Sequence, residues 1–279
     1  MRVFRTSLLS FVVLLSFTFE SLGQELSFLE VSDGAKIAYR VVGQGPPVVF
    51  IHGFLGNMDY WSELIAPLTD DFTMVTFDLR GHGHSTNPVP EFSHERFGHD
   101  AAEVMSFLGF DTYGVVGHSS GGTAAYHLSS NYPARVNWQI VMGSAFKHGE
   151  PQKEMLRNFP AFEELEEWIR DVMINAHPGG RQQIDRLLDA IRDIGTERED
   201  LNFTASDLST IFTPTLVIWG DREQYPVETA VYLYRNLPNA WLWVVPGVGH
   251  QIFWPENGGS QMAADEFIPR IRAFASDHQ

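Results

Sequence analysis

The sequence of 279 residues contains no cysteine. Disulfides, thiolate nucleophiles and cysteine-ligated zinc sites are therefore excluded. Basic residues are also scarce, with 19 Lys and Arg against 35 Asp and Glu and a formal net charge of −16. A chain this acidic repels phosphate backbones and anionic membrane surfaces, so nucleic acid is not an expected partner. Hydrophobic residues make up 44% of the chain, which is enough for a sizeable core without disulfides.

The apolar run at residues 8–19 is too short to span a bilayer, which takes a helix of roughly 20 residues. Two arginines precede it, and the small residues Ser21 and Gly23 follow at the −3 and −1 positions of a cleavage site. This is the pattern of a secretory signal peptide, with an uncleaved anchor as the alternative. We expect residues 1–23 to be removed and the mature protein to be periplasmic or secreted, with no stable membrane anchor. Losing two Arg and one Glu changes the charge from −16 to −17.

Short runs of β-branched and aromatic residues recur after a predicted hairpin around Ser32, Asp33 and Gly34. The runs that predict buried strands are residues 48–51, 74–77, 113–116, 138–142, 215–219 and 241–245. Helical segments alternate with them at residues 95–108, 123–131, 227–236 and 262–275. This alternation predicts an α/β fold with a mostly parallel, doubly wound sheet.

Residues 144–212 contain no convincing strand, and apolar residues recur there at helical spacing in two stretches around His177 and Pro178. We interpret this segment as a helical insertion between two late strands, which divides the core into residues 24–143 and 213–279. The insertion is either a pair of amphipathic helices facing the core or a lid over an active site. As a lid, it would use its large apolar side chains to line a pocket; the candidates are Phe159, Phe162, Trp168 and Met173.

The strongest motif has the sequence Gly-His-Ser-Ser-Gly-Gly at residues 117–122, directly between a predicted strand and a predicted helix. A G-x-S-x-G pattern in this context predicts a sharp turn that exposes a nucleophilic serine, here Ser119. Side chains at Gly117 and Gly121 would collide with neighbouring backbone in such a turn. We interpret His118, beside the serine, as a packing residue.

Two further segments supply the other parts of a nucleophilic site. The glycine-rich loop that starts at His52 follows a strand, and it aims a backbone N–H, that of Phe54, at an oxyanion; the N–H of Ser120 is the second donor. His250 follows the last strand and suits a general base, because its reference pKa is about 6.5.

The other polar candidates are less specific. His82 and His84 suggest a metal, but no third ligand stands at suitable spacing, so we interpret them as part of a structural turn. The acid that orients the base belongs on the turn after residues 215–219, which offers both Asp221 and Glu223.

Together these motifs resemble the α/β-hydrolase superfamily, in its lid-bearing, esterase-like branch. The motifs are an H-G-x loop at 52–54, a D-x-R-G-x-G-x-S turn at 78–85, the elbow at Ser119 and a late G-x-G-H ending at His250, and the resemblance covers nearly everything after about residue 26. It implies an acid three residues after the glycine that ends its strand, where this chain has Glu223 instead of the usual aspartate. The longer side chain and the early Pro226 depart from the family pattern, and Asp221 is the alternative acid.

The resemblance implies a serine hydrolase that cleaves carboxylic esters of small or medium acyl groups through an acyl-enzyme on Ser119, with no cofactor and no metal. A serine at this position argues against epoxide hydrolases and haloalkane dehalogenases, which use aspartate there. A carbon–carbon bond hydrolase, an acyltransferase or a peroxidase-like relative are alternatives within the fold. A non-catalytic ligand-binding homologue is the alternative from another class. The expected partner is a small ester-like molecule.

Overall fold

The computed structural model describes residues 25–89, 92–194, 196 and 202–278. The predicted signal peptide, residues 1–23, lies outside this range. Eight strands form one sheet in the order β1-β2-β4-β3-β5-β6-β7-β8. The strands are β1 Ser27–Glu30, β2 Lys36–Gly43, β3 Pro47–Ile51, β4 Thr73–Phe77, β5 Tyr113–His118, β6 Val136–Met142, β7 Thr215–Gly220 and β8 Ala240–Val245.

The predicted mostly parallel sheet is confirmed. Strands β1 and β2 form the expected antiparallel hairpin, and β2 also pairs antiparallel with β4. All the other pairings are parallel, from β4 through β3, β5, β6 and β7 to β8. The carboxyl ends of β3, β5, β6, β7 and β8 therefore meet at one edge, where α/β proteins bind their ligands.

The helices of the described residues cover both faces of the sheet. They are α1 Ser62–Ile65, α2 His94–Phe107, α3 Ser120–Asn131, α4 Glu150–Arg157, α5 Glu167–Ala176, α6 Gly180–Ile194, α7 Ala205–Leu208, α8 Val227–Asn236 and α9 Gln261–Asp277. Ser93 caps α2, because its side chain accepts a hydrogen bond from the Arg96 N–H. Helix α2 ends before Gly109, which adopts a φ of +80°.

The central strands are buried on both faces, which explains their continuous apolar runs. Successive residues of β3 illustrate this, since Val49 and Ile51 belong to one core cluster, and Val48 and Phe50 to the other. The cluster that contains Val49 also includes apolar residues of α2, α3, α8 and the insertion. The opposite cluster contains residues of α1 and α9.

The insertion between β6 and β7 is helical, as predicted, but its described residues hold two more helices than the periodicity indicated. Helices α5 and α6 correspond to the two predicted stretches, whereas α4 and the short helix α7 were missed. In α4 only Leu156 is buried, so its sequence carries no apolar stripe. The two arms of the insertion meet beside the sheet, where Lys147 and Asn202 form an antiparallel bridge and the Phe203 N–H donates to the Phe146 carbonyl at 2.9 Å.

Candidate active site

Ser119 lies on the turn between β5 and α3 and has a φ of +55° and a ψ of −124°. Leu55 and Ser119 are the two non-glycine residues with positive φ among the described residues. A serine in this region is strained by about 1–3 kcal/mol, and such strain persists at functional sites. The turn is held by its own backbone, because the Ser119 N–H donates to the Met142 carbonyl and the Gly122 and Thr123 N–H groups donate to the Ser119 carbonyl.

The glycines around Ser119 are required for steric reasons, as predicted. A Cβ atom at Gly117 would lie 2.4 Å from the Gly121 carbonyl oxygen, and one at Gly121 would lie 2.1 Å from that of Ile51. A Cβ atom at Gly53 would lie 3.1 Å from the Cβ atom of Ser119. The loop after β3 therefore approaches the Ser119 turn closely.

His250 follows β8 and is hydrogen-bonded to Glu223, which follows β7. The His250 Nδ1 atom lies 2.9 Å from both carboxylate oxygens of Glu223, and both side chains are buried. A carboxylate only accepts, so Nδ1–H is the donor, and whenever the ring is neutral its lone pair is on Nε2. Asp221 lies elsewhere on the same turn, is exposed, and accepts a hydrogen bond from the Gly247 N–H. Of the two candidate carboxylates, the structure brings Glu223 against His250.

Gly143, at the end of β6, connects this pair to the Ser119 turn. It has a φ of +55°, and a Cβ atom there would lie 2.9 Å from Glu223 Oε2 and 3.1 Å from His250 Nδ1. Gly143 also lines the same cavity as Ser119. The sequence motifs did not single out Gly143, although its position at the end of a central strand is a usable signal.

His118 does more than pack, because it fixes the backbone of His250. Its Nε2 atom lies 2.9 Å from the His250 carbonyl oxygen, and its Nδ1 atom lies 2.9 Å from the Tyr60 hydroxyl. Burial lowers the pKa of His118 well below 6.5, so the ring is neutral and Nε2–H donates to the carbonyl. Sequence reasoning missed Tyr60, whose hydroxyl also reaches Gln251 at 3.0 Å.

A cavity of about 30 Å³ borders Ser119. The two predicted oxyanion donors, Phe54 and Ser120, line it as well. Its remaining walls come from the core residues Thr123, Gly143, Ala145 and Tyr225, the buried histidines His94 and His148, and the insertion residues Leu156, Ile191 and Ile194. Space of this size holds one or two water molecules.

The insertion residues that border the cavity differ from those predicted. Phe159 and Met173 are buried in the core, and Phe162 lies under the Arg181 guanidinium at 4.4 Å. Trp168 is 39% exposed. None of these four lines the cavity, to which the insertion contributes Leu156, Ile191 and Ile194 instead. For Phe159 and Met173 the simpler interpretation, plain core, is the correct one.

His82 and His84 belong to a turn after β4 that is tied to its own backbone and to Asp78. His82 Nδ1 donates to the Arg80 carbonyl at 3.0 Å, and burial lowers the pKa of this ring well below 6.5. The hydrogen bond to Asp78 raises the pKa of His84. Among the described residues, no group of three or more potential ligands is arranged to hold a metal ion. Within the same range, no helix is both long and apolar enough to cross a membrane.

Residues 46–166 match the family model described as the alpha/beta hydrolase fold. The chain is 35% identical over 97 residues to the soluble epoxide hydrolase of Corynebacterium sp. (strain C12), a match covering 35% of this chain and 34% of that protein. The chain therefore spans about a third of the length of this relative. It is 28% identical over 258 residues to the non-heme haloperoxidase of Rhodococcus erythropolis, covering 81% of this chain and 93% of that protein.

A solved structure shares the whole architecture. The meta-cleavage product hydrolase from Pseudomonas fluorescens IP01, in a mutant form complexed with acetates, superposes with a TM-score of 0.71 at 20% identity. The superposition covers 91% of this chain and 98% of that structure. With the sheet order, the strained turn at Ser119 and the match over residues 46–166, this similarity shows that the chain has the α/β-hydrolase fold.

Proposed function

We propose that the protein is a serine hydrolase that cleaves carboxylic esters of small or medium acyl groups. The observation that carries the proposal is the hydrogen-bonded pair of His250 and Glu223, together with the strained backbone of Ser119. Two observations support the proximity of this pair to Ser119. Gly143 adjoins both side chains of the pair, and His118, the residue before Ser119, donates a hydrogen bond to the His250 carbonyl. A carboxylate, an imidazole and a serine hydroxyl are the groups that acyl transfer of this kind uses.

In the proposed reaction, the Ser119 hydroxyl attacks the ester carbonyl while its proton passes to His250 Nε2. Glu223 stabilises the resulting imidazolium, and the backbone N–H groups of Phe54 and Ser120 hold the oxyanion. His250 then returns the proton to the leaving alcohol as the carbonyl re-forms, which gives an acyl-enzyme. A water molecule, deprotonated by His250, releases the carboxylic acid and restores the serine. No step needs a metal or a cofactor.

The insertion is proposed to act as a lid over this site. Leu156, Ile191 and Ile194 give the cavity an apolar wall, which suits an acyl chain. Because about 30 Å³ accommodates only the smallest acyl groups, the lid has to move when a longer chain binds. Activity is therefore expected to fall with chain length, and to fall more steeply when the lid is restrained.

We also propose that the protein is exported and that residues 1–23 are removed, on the basis of the signal-peptide pattern alone. Intact mass measurement on protein recovered from the periplasm or the culture medium tests this. The mass of a chain that begins at Gln24 supports the proposal, whereas the mass of the full chain in a membrane fraction supports an uncleaved anchor.

Hydrolysis of p-nitrophenyl esters from acetate to decanoate, with Ser119→Ala beside Ser206→Ala, tests the proposed function. Ser206 is exposed in α7, so its variant is a matched control for the loss of a hydroxyl. We expect Ser119→Ala to lose at least about 10⁴-fold in kcat and Ser206→Ala to keep wild-type activity. Retained activity in Ser119→Ala would exclude the serine mechanism. If the wild type binds a ligand tightly without turnover, the result would favour a binding protein. If it transfers the acyl group to an added alcohol, the result would favour an acyltransferase.

A further inference from the structure

A second group of buried polar contacts joins the insertion to the core beside the candidate active site. His177 follows α5 and is completely buried. Its Nδ1 atom lies 3.0 Å from the Gly83 nitrogen, and its Nε2 atom lies 3.2 Å from the Leu55 carbonyl oxygen. Gln183, one turn into α6, donates from Nε2 to the carbonyl oxygens of Gly81 and Gly83, both at 2.9 Å. We call these contacts of His177 and Gln183 the latch.

The backbone partners of His177 fix its protonation state and its tautomer. The Gly83 N–H can only donate, so Nδ1 has to be unprotonated, and the single ring proton sits on Nε2 and donates to the Leu55 carbonyl. Burial lowers the pKa of His177 to about 4, in agreement with a neutral ring. Both ring nitrogens are therefore occupied by the backbone of two different core loops, and the ring has no free site for proton transfer.

One of these loops carries Phe54, whose N–H is a proposed oxyanion donor. Leu55 follows directly and has a φ of +65°, a conformation that this residue type rarely adopts unless its surroundings hold it. The Gly56 N–H donates to the Gly53 carbonyl at 3.1 Å, which closes the turn within the loop. The contact from His177 is what ties the Leu55 carbonyl to the insertion. Displacement of His177 would free the carbonyl of Leu55, the residue directly after Phe54.

The other loop, which contains Gly83, is attached through Asp78 to the segment that follows Phe54. The Asp78 Oδ2 atom accepts from the His84 N–H and its Oδ1 atom accepts from the Met58 N–H, both at 2.7 Å. The backbone of Gly83 approaches the Asp78 carboxylate so closely that a Cβ atom at Gly83 would lie 2.2 Å from it. The latch therefore holds the loop of Gly83 directly and reaches the loop after Phe54 by two routes, through Leu55 and through Asp78 and Met58.

We propose that His177 is a positioning residue, which couples the insertion, when it is packed on the core, to the loop that carries Phe54. The oxyanion donor is then correctly aligned only while the insertion is closed on the core. The proposal rests on the proposed function for the role of Phe54, but the mechanical coupling between His177 and the loop is independent of it. Misalignment of one donor by a fraction of an ångström lowers the rate of the chemical step more than it lowers substrate binding.

Four variants test the coupling. His177→Leu removes both hydrogen bonds, His177→Gln retains one donor and one acceptor, Gln183→Leu removes the other arm of the latch, and Gln182→Leu alters an exposed neighbour as the matched control. For each variant we would measure kcat and KM with p-nitrophenyl acetate, and amide hydrogen exchange in peptides that cover residues 53–58. The melting temperature of each variant checks that it is folded.

We expect His177→Leu to lower kcat by about 10-fold to 100-fold with KM within about 3-fold of the wild type, because the loss concerns the transition state. Exchange at residues 53–58 should rise by about 10-fold or more, because the loop opens more often once it loses the His177 contact and keeps only the longer bond from Asn57 Nδ2 to the Ala176 carbonyl at 3.4 Å. His177→Gln should recover most of both effects, and Gln182→Leu should match the wild type. Gln183→Leu should show the same pattern as His177→Leu more weakly.

Wild-type exchange at residues 53–58 in folded His177→Leu would overturn the coupling, and so would His177→Gln behaving no better than His177→Leu. If His177→Leu does not fold, Gln183→Leu decides: unchanged exchange at residues 53–58 contradicts the proposal. A wild type that turns over no ester would instead remove the proposed function, and the exchange measurement would still decide whether His177 controls the loop.

Discussion

His250 and His177 are both buried, yet their ring nitrogens face different partners. His250 Nδ1 lies 2.9 Å from the two oxygens of a carboxylate, that of Glu223. His177 has only neutral backbone groups at hydrogen-bond distance, the Gly83 N–H and the Leu55 carbonyl. Glu223 can stabilise a positive charge on His250, whereas protonation of His177 would place a second proton against the Gly83 N–H. The first environment suits a ring that accepts a proton during a reaction, and the second suits a ring that keeps one tautomer.

The comparison shows that burial alone does not assign a role to a histidine. Both rings lie in loops, His177 directly after α5 and His250 five residues after β8, and each is fixed by a partner from another part of the chain. The difference lies in whether the partner of the ring carries a charge that complements the imidazolium. Substitutions can change each environment separately.

The largest effect is expected at the carboxylate of the first environment. Glu223→Gln keeps the shape of the side chain but removes its charge, so the imidazolium loses its stabilisation and the tautomer of His250 is no longer enforced. We expect kcat to fall on the order of 10³–10⁴-fold. Asp221→Asn is the matched control, since Asp221 contacts the Gly247 N–H and not His250, and its activity should stay within about 3-fold. The reverse order in p-nitrophenyl ester assays would assign the acid to Asp221.

The environment of His177 should make the free energy of unfolding depend on pH. Burial lowers the pKa of His177 to about 4, whereas an imidazole in the unfolded chain has a pKa near 6.5. The unfolded state therefore binds a proton first as the pH falls, and the free energy of unfolding decreases between pH 6.5 and about 4, by about 3 kcal/mol from this ring.

His177→Gln removes this contribution. The variant should be less stable than the wild type at pH 7, and the difference should narrow by about 2–3 kcal/mol at pH 4.5. Urea unfolding of both proteins at the two pH values measures it. A difference that stays constant would mean that His177 is as easily protonated in the folded protein as in the unfolded chain.

A smaller effect is expected where Gly143 packs against the first environment. A Cβ atom there would press on Glu223 Oε2 at 2.9 Å, so Gly143→Ala should shift the pair and lower kcat by about 10-fold to 100-fold. Gly109→Ala is the control, because Gly109 also has a positive φ but nothing lies within 4 Å of its added Cβ atom. Both variants should lose about 1 kcal/mol of stability from the backbone strain. Equal activities in the two variants would contradict the role assigned to this contact.

The sequence predicted most of the sheet because its strands are apolar runs bounded by glycine and proline. The bounds of α8 were predicted to the residue at Val227–Asn236, and the strand before Ser119 was extended only to include Gly117 and His118. Helix α4 could not be predicted in the same way, because it buries only Leu156 and presents polar side chains elsewhere. The amphipathic period is visible only when a whole face of a helix is buried.

The candidate site was predictable to the extent that its residues follow strands. Ser119, Glu223 and His250 come shortly after β5, β7 and β8, and parallel strands bring their carboxyl ends together. The contacts of His177 and Tyr60 could not be predicted, because their partners are far away in the chain. His177 reaches Leu55 across 122 residues, and Tyr60 reaches Gln251 across 191.

Labelling with a fluorophosphonate, followed by peptide mass spectrometry, tests most directly whether Ser119 is an activated nucleophile. The reagent reacts with a serine hydroxyl only when a neighbouring base takes up its proton. We expect a single adduct on the peptide that contains Ser119, no adduct in Ser119→Ala and much slower labelling in Glu223→Gln. A well-folded wild type that is not labelled, or an adduct on another serine, would contradict this expectation.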